Sequence, residues 1–164
     1  MDGLSQWWKF NENSGTSAQN EIERNQGTLV GMSDSDRIFG YEGKALRFEG
    51  DGGHVVIKGY KGILGALPRT SSMWVKTSDA NGSLLSWGDG SAGGSWELCL
   101  ENGFLKLDAG NASLVGSTLV NDGQWRLVTA VLPSGSSVLS DCVLFVDGSL
   151  ETVSINPVIG VTLN

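Results

Sequence analysis

Short stretches in which apolar and polar residues alternate, each closed by a glycine-containing turn, recur along almost the whole chain. A period of two sends successive side chains to opposite faces of an extended strand, so each stretch buries one face and wets the other. Amphipathic helices are excluded for these stretches, because their apolar residues recur every three or four positions. The clearest case is Trp96-Glu97-Leu98-Cys99-Leu100-Glu101, then Asn102-Gly103, then Phe104-Leu105-Lys106-Leu107-Asp108. Asn-Gly tolerates positive φ at both central positions and predicts a hairpin with a type I′ turn. Asp147-Gly148 predicts a second one. Strands are predicted over 6–10, 27–30, 45–48, 54–57, 72–76, 83–87, 96–101, 104–108, 114–119, 125–132, 142–147, 150–155 and 158–163. Residues 63–67 predict one helical turn ended by Pro68, and the polar, unpatterned run 11–26 predicts a surface loop. About a dozen strands with turns roughly every 8–12 residues predict an all-β sandwich or barrel.

A length of 164 residues predicts a single domain over 1–164, large enough for a core without metal or disulfide support. The net charge of −7 argues against nucleic acid, whose affinity comes from phosphates neutralised by Lys and Arg. It argues equally against anionic membrane surfaces. No apolar run reaches the roughly 18 residues of a membrane-spanning helix, so no membrane insertion is expected. Met1-Asp2-Gly3-Leu4 lacks a basic region followed by an apolar one. The expectation is a cytoplasmic chain or a fragment whose secretion signal lies elsewhere. Cys99 falls on the outward phase with Glu97 and Glu101, whereas Cys142 shares the inward phase of Leu144 and Val146. Opposite faces argue against a disulfide.

Seven short motifs then follow in order. They are Trp8-Lys9-Phe10-Asn11-Glu12-Asn13-Ser14-Gly15-Thr16, Gly27-Thr28-Leu29-Val30-Gly31, Gly43-Lys44-Ala45-Leu46-Arg47-Phe48-Glu49-Gly50, His54-Val55-Val56-Ile57, Trp74-Val75-Lys76, Asn121-Asp122-Gly123-Gln124-Trp125-Arg126-Leu127-Val128 and Leu144-Phe145-Val146-Asp147-Gly148. Together they resemble the laminin-G-like, concanavalin A-like jelly-roll domains. The resemblance implies a two-sheet antiparallel jelly-roll sandwich, an extracellular or periplasmic setting, and ligand binding by loops at one sandwich edge. It also places Trp8, Trp74 and Trp125 at core-type positions. The chain departs from the pattern in three places. The aspartate-rich turn that often helps hold calcium in such domains reads Asn20-Glu21-Ile22-Glu23-Arg24-Asn25-Gln26 here, and calcium needs six to eight oxygens on a tight loop. The paired-histidine position holds Arg126 and Leu127. The family's usual last strand pair is missing, which predicts that a second copy or a longer parent polypeptide covers the C-terminal edge.

Six tryptophans bear on function, because aromatic faces stack on sugars while polar groups fix the hydroxyls. Trp87 and Trp96 flank the acidic, Gly/Ser-rich loop that carries Asp89, so the pair either cradles a glycan or plugs the sandwich end. His54, the only histidine, sits at a loop-to-strand boundary as a ligand contact or a rim residue. The ligand-binding candidates are therefore Trp87, Asp89, Trp96 and His54. Asp51, Asp89, Asp108 and Asp147 lie at strand ends, where a rim Ca2+ would bind, although Asp is also a default turn residue. Asn81-Gly82-Ser83 and Asn111-Ala112-Ser113 are glycosylation sequons in predicted turns. Glu97, Cys99 and Glu101 resemble the acidic strand of jelly-roll glycosidases. Alternate residues stand about 6.6–6.8 Å apart on a strand, retaining hydrolysis wants carboxyls about 5–5.5 Å apart, and the middle residue is a cysteine. The expected function is non-catalytic recognition of a carbohydrate or another extracellular ligand. The alternatives are an adhesion or assembly module acting through protein contacts, and a glycan-active enzyme.

Overall fold

Alternation decides the strands. The computed structural model describes residues 3–22, 25–156 and 161–163, and nearly all its regular structure is antiparallel β. The chain divides into two compact units, Met1–Tyr60 and Lys61–Asn164.

In the first unit, β1 (Ser17–Ala18), β2 (Gly27–Val30) and β5 (His54–Ile57) form a three-stranded sheet in the order β1-β2-β5. A separate hairpin joins β3 (Arg37–Phe39) to β4 (Lys44–Leu46). Ala18, Leu29 and Leu46 are buried here, with Trp8, Phe10, Met32 and Val55 packed against them. Trp8 meets Tyr60 edge-on at 6.4 Å between ring centroids and donates its indole N–H to the Asn25 carbonyl at 2.9 Å.

The strand predicted over 6–10 does not form. Trp8 makes one isolated bridge, to Asn20, and Phe10 takes φ of +59°, the left-handed region that strands exclude. The chain therefore turns at Phe10 instead of running on. The run 11–26 is not loop throughout, since it supplies β1, whose Ala18 is fully buried. The strand predicted over 45–48 ends at Leu46, and Arg47 donates its N–H to the Asp36 carbonyl.

In the second unit, β6 (Arg69–Val75) leads into β7 (Gly82–Gly88), β8 (Ser95–Glu101), β9 (Phe104–Asp108) and β10 (Ser113–Leu119). Then come β11 (Arg126–Leu132), β12 (Val143–Val146), β13 (Ser149–Leu150) and β14 (Ser154–Asn156). They make a five-stranded sheet in the order β14-β10-β9-β8-β7 and a four-stranded sheet in the order β13-β12-β11-β6. Inward residues of both sheets share one core: Trp96, Leu98, Leu100, Leu105, Leu107 and Leu114 from one, Val128, Ala130, Leu132, Leu144 and Val146 from the other. That is a β-sandwich. Asn102 and Gly103 take φ of +53° and +86°, and Asp147 and Gly148 take +51° and +78°, the signature of both predicted turns.

Several finer expectations are corrected. Residues 63–67 hold no helix; their carbonyls at Ile63, Gly65 and Leu67 accept instead from the Arg69 guanidinium. Trp74 is not core. It sits on the outward phase of β6 with Thr70 and Ser72 and is 40% exposed, whereas Met73 and Val75 turn in. The strand predicted over 150–155 breaks at Glu151, whose buried carboxylate accepts the N–H groups of Ser117 and Thr118 and the Thr118 hydroxyl, each at 2.7 Å. Of the strand predicted over 158–163, residues 158–160 lie outside the described residues, and Thr162 makes an isolated bridge with Val138. Cys142 is buried, Cys99 lies half-buried on the outer face, and both are free thiols pushed up to about 11 by burial.

Phase assigns opposite outcomes to two tryptophans. Trp96→Ala is expected to lose about 3–5 kcal/mol of stability, and Trp74→Ala less than about 0.5–1 kcal/mol. Urea denaturation of the two variants beside the wild type measures both.

Candidate functional site

The predicted ligand residues do not form one site. His54 opens β5 in the first unit, its Nδ1 2.8 Å from the Gly52 carbonyl oxygen, while Trp87, Asp89 and Trp96 belong to the second unit. Trp87 and Trp96 are cross-strand partners whose rings stack at 6.1 Å and 19°. Trp96 is 1% exposed and offers no face to a ligand. Its indole N–H donates to Ser71 Oγ at 3.1 Å, and the Arg69 guanidinium lies 4.4 Å over its ring. Trp87 donates to the Ile63 carbonyl at 3.2 Å, and Gly62 fits against its ring where no Cβ could. The acidic loop beside them is bonded to itself: Asp89 Oδ1 accepts the N–H and hydroxyl of Ser91, Gly90 donates to Ser95 Oγ, and Gly93 donates to the Ala109 carbonyl. The Ser91 hydroxyl holds the Asp89 carboxyl below its usual range.

The other acidic candidates are likewise committed. Asp51 caps Gly53, and Asp108 caps Gly110. Asp147 accepts from Arg126 Nη1 at 2.7 Å and from the Leu127 N–H at 2.9 Å, while Asp122 takes the other side of the same guanidinium. Arg126 thus fills the place where the resemblance implies histidines and clasps two turns together. Its side-chain hydrogen bonds hold both aspartates below their ordinary range. Among the described residues no group of His, Cys, Asp or Glu could hold a metal ion. On the outer face of the five-stranded sheet, Lys106 bonds Glu101 at 2.8 Å and reaches Asp108 at 3.2 Å, with Cys99 as its cross-strand partner.

A cleft does form in the first unit, on the run that reads as featureless in the sequence. Its volume is about 430 Å³, and Asn11, Glu12, Asn13, Ser14, Ser17, Gln19 and Glu21 line it. Small-molecule sites span roughly 300–1,000 Å³. Every lining residue carries an amide, a hydroxyl or a carboxylate, although nearly half of the lining surface is carbon. Its frame is Arg37, the first residue of β3, whose side chain is 1% exposed. Arg37 Nη1 donates to Glu12 Oε2 at 3.1 Å, and Nη2 to the carbonyls of Gly15 and Ser17 at 2.8 and 2.9 Å. The second Glu12 oxygen accepts the Gln19 N–H, and Asp34 accepts the Gly15 N–H at 2.7 Å. The left-handed turn at Phe10, which costs of order 1–3 kcal/mol for such a residue, delivers Asn11 to the lining.

Two exposed aromatics of the first unit, Trp7 and Phe39, neighbour residues that contact the lining. Trp7 accepts the Glu21 N–H on its carbonyl, and Lys9 lies 4.2 Å over its ring while pairing with Glu21 at 3.7 Å. Phe39, 90% exposed, is the cross-strand partner of Lys44, whose Nζ donates to Asn13 Oδ1 at 2.7 Å. Directly opposed residues share one face of a hairpin. Sequence reasoning passed over Arg37 and Lys44 because their partners lie 20 to 33 residues away. The available signal was the density of amide, hydroxyl and carboxylate groups in Asn11-Glu12-Asn13-Ser14.

No family model matches the chain, and no curated protein matches it. Among solved structures it is similar to an S-layer domain-containing protein from Clostridium thermocellum ATCC 27405, with 16% identity and a TM-score of 0.50 over 91% of this chain and 71% of that one. At that identity the likeness concerns the fold. No helix among the described residues is long and apolar enough to cross a membrane.

Two outcomes test this geometry. Arg37→Ala strands the Glu12 carboxylate and two carbonyls, with an expected loss of about 3–5 kcal/mol in unfolding free energy, measured by urea denaturation beside the wild type. The Arg126 clasp responds to acid. Because the folded Asp122 and Asp147 titrate below the ordinary value of about 3.9, their contribution is present above that value and lost as pH falls through the folded values. The stability difference between wild type and Arg126→Ala at pH 6 should therefore shrink as the pH falls below the ordinary value of about 3.9, as urea denaturation at a series of pH values would show.

Proposed function

We propose that this chain is a non-catalytic recognition module of an extracellular or cell-surface protein, of the laminin-G-like, concanavalin A-like jelly-roll class, and that its first unit binds carbohydrate in the 430 Å³ cleft. The observation that carries this reading is the lining itself. A sugar presents many hydroxyls that need donors and acceptors at fixed angles, and C–H faces that favour aromatic rings. Asn11, Asn13, Ser14, Ser17 and Gln19 supply the first, and exposed aromatics of the same unit, Phe39 above all, are candidates for the second. Trp87 and Trp96 belong to the packing of the second unit in this reading, and the sugar does not meet them. A binding role is preferred to catalysis because Glu12 is spent on Arg37, and Glu101 and Asp108 are spent on Lys106.

A second reading is assembly through protein contacts. It is favoured by the outward Trp74 and Leu150 of the four-stranded sheet, 40% and 65% exposed, and by the S-layer domain of the similar structure.

A glycan array, read with and without calcium, separates the two. The expected result is binding that calcium removal leaves intact and that Gln19→Ala combined with Ser14→Ala weakens by at least roughly tenfold, the loss of about one hydrogen bond. Trp87→Ala should leave the affinity of the remaining folded protein unchanged. Silence across the array, together with a stable dimer in sedimentation equilibrium that Trp74→Ala dissociates, would replace the carbohydrate reading with the assembly one.

A further inference from the structure

The loop that opens the second unit, residues 61–68, is turned inside out. The carbonyls of Ile63, Gly65 and Leu67 accept from Arg69 Nη1 at 3.0, 2.9 and 3.3 Å, and Trp87 donates to the first of them as well. Arg69 is 6% exposed, so these carbonyls face the interior. The side chains of Leu64 and Leu67 instead meet water, 47% and 62% exposed, with Ala66 and Pro68 exposed beside them. A surface loop ordinarily does the reverse, giving its carbonyls to solvent and its leucines to the core. Burying a cation is costly unless other groups replace its water. The fold thus commits a buried guanidinium to holding two leucines at the surface.

A second apolar surface adjoins this loop. On the outer face of the four-stranded sheet, Leu150 lies opposite Phe145, Phe145 opposite Thr129, and Val131 opposite both Val143 and Thr70. Opposed residues stand about 4.5–5.5 Å apart at Cβ and same-face neighbours along a strand about 6.8 Å apart. Leu150, Phe145, Val143, Val131 and Leu127 therefore form one continuous surface around Thr129, and none of them belongs to the core. Thr70 follows Pro68 by two residues, so loop and face meet at the start of β6.

Charge separates the two surfaces. Residues 52–78 contain no Asp or Glu, although the chain has 18 of them. Lys61, the first residue of the loop, pairs with no carboxylate among the described residues. Asp141, exposed just ahead of β12, pairs with no cation among them.

We infer that a second copy of this chain covers both surfaces, in a two-fold dimer in which the Leu64–Leu67 loop of each copy lies on the outer sheet face of the other. A two-fold interface is self-complementary, and a loop and a face side by side on one unit meet that condition twice. Lys61 of each copy then approaches Asp141 of the other. The net charge of −7 opposes an anionic lipid surface as the occupant, and it keeps two copies apart except where a face is uncharged. This inference belongs to the assembly reading and does not depend on the cleft of the first unit.

Contacts of this extent fall near or below the about 1,200 Å² of a stable complex, so the dimer should be weak, with a Kd of roughly 10–100 μM. Sedimentation equilibrium of the full chain across that range should show a dimer and nothing larger. Leu67→Glu and Leu150→Lys, both at exposed positions, should each raise Kd at least roughly tenfold. Urea denaturation beside the wild type checks that both variants fold. An equimolar mixture of the two should associate more tightly than either alone, because one of the two loop-to-face contacts is then intact. A dimer that Leu67→Glu leaves unchanged, or no gain on mixing, overturns the inference. So does a wild type that stays monomeric, and one that does so while co-sedimenting with phosphatidylserine vesicles assigns the loop to lipid instead. None of these outcomes bears on glycan binding, which the array reads separately.

Discussion

Arg37 gives up nearly all of its hydration at the start of β3, and a guanidinium does so only where other groups replace the water. Here one carboxylate and two backbone carbonyls do that work for Nη1 and Nη2, all three from the stretch between Glu12 and Ser17, while the buried Nε has no partner among the described residues. Pulling that stretch onto the guanidinium seats Ala18 in the core of the first unit and brings β1 into register with β2, Ala18 opposite Gly27. It also turns the second oxygen of Glu12 toward the Gln19 amide, which shapes the lining of the cleft. Sheet, core and cleft in this unit thus share a single electrostatic anchor. The unit has few buried apolar side chains of its own, so the anchor weighs heavily in its stability.

How much of this was legible in the sequence depends on how far apart the interacting residues lie. Period-two runs between glycine turns are local, and the hairpin around Asn102-Gly103 and the inward phase of Trp96, Leu98 and Leu100 could be read directly. The strand over 6–10 failed because one residue, Phe10, adopts a conformation that no local pattern announces. The break at Glu151 was hidden for a similar reason: its partners, Ser117 and Thr118, sit more than 30 residues earlier. The cleft was illegible because a polar run in a loop and a polar run lining a cavity have the same composition. What distinguishes them is a distant arginine and a distant lysine.

The tryptophans make the same point at the level of single side chains. An aromatic flanking a Gly/Ser-rich loop reads equally well as a platform or as a plug. Packing distinguishes the two, and for Trp96 it engages every part of the ring system: one face on Trp87, the guanidinium of Arg69 over the ring, and the N–H on Ser71. Arg69 itself is buried without a carboxylate partner among the described residues, and burial holds its guanidinium below its ordinary range. Its charge is spread over three carbonyls and an indole. Trp74, one sheet face away from such company, remains at the surface.

Glu151 carries a consequence for the slow motions of the second unit. Ser117 and Thr118 lie on an exposed, irregular part of β10, where the ladder to β9 slips between Val115 and Leu119. Amides in such a place ordinarily trade their protons with solvent within moments. Here both point into a buried carboxylate, so they can exchange only when the connection between β13 and β14 lifts away. Two surface amides would then report, through their deuterium uptake, the opening of a segment that neither of them belongs to.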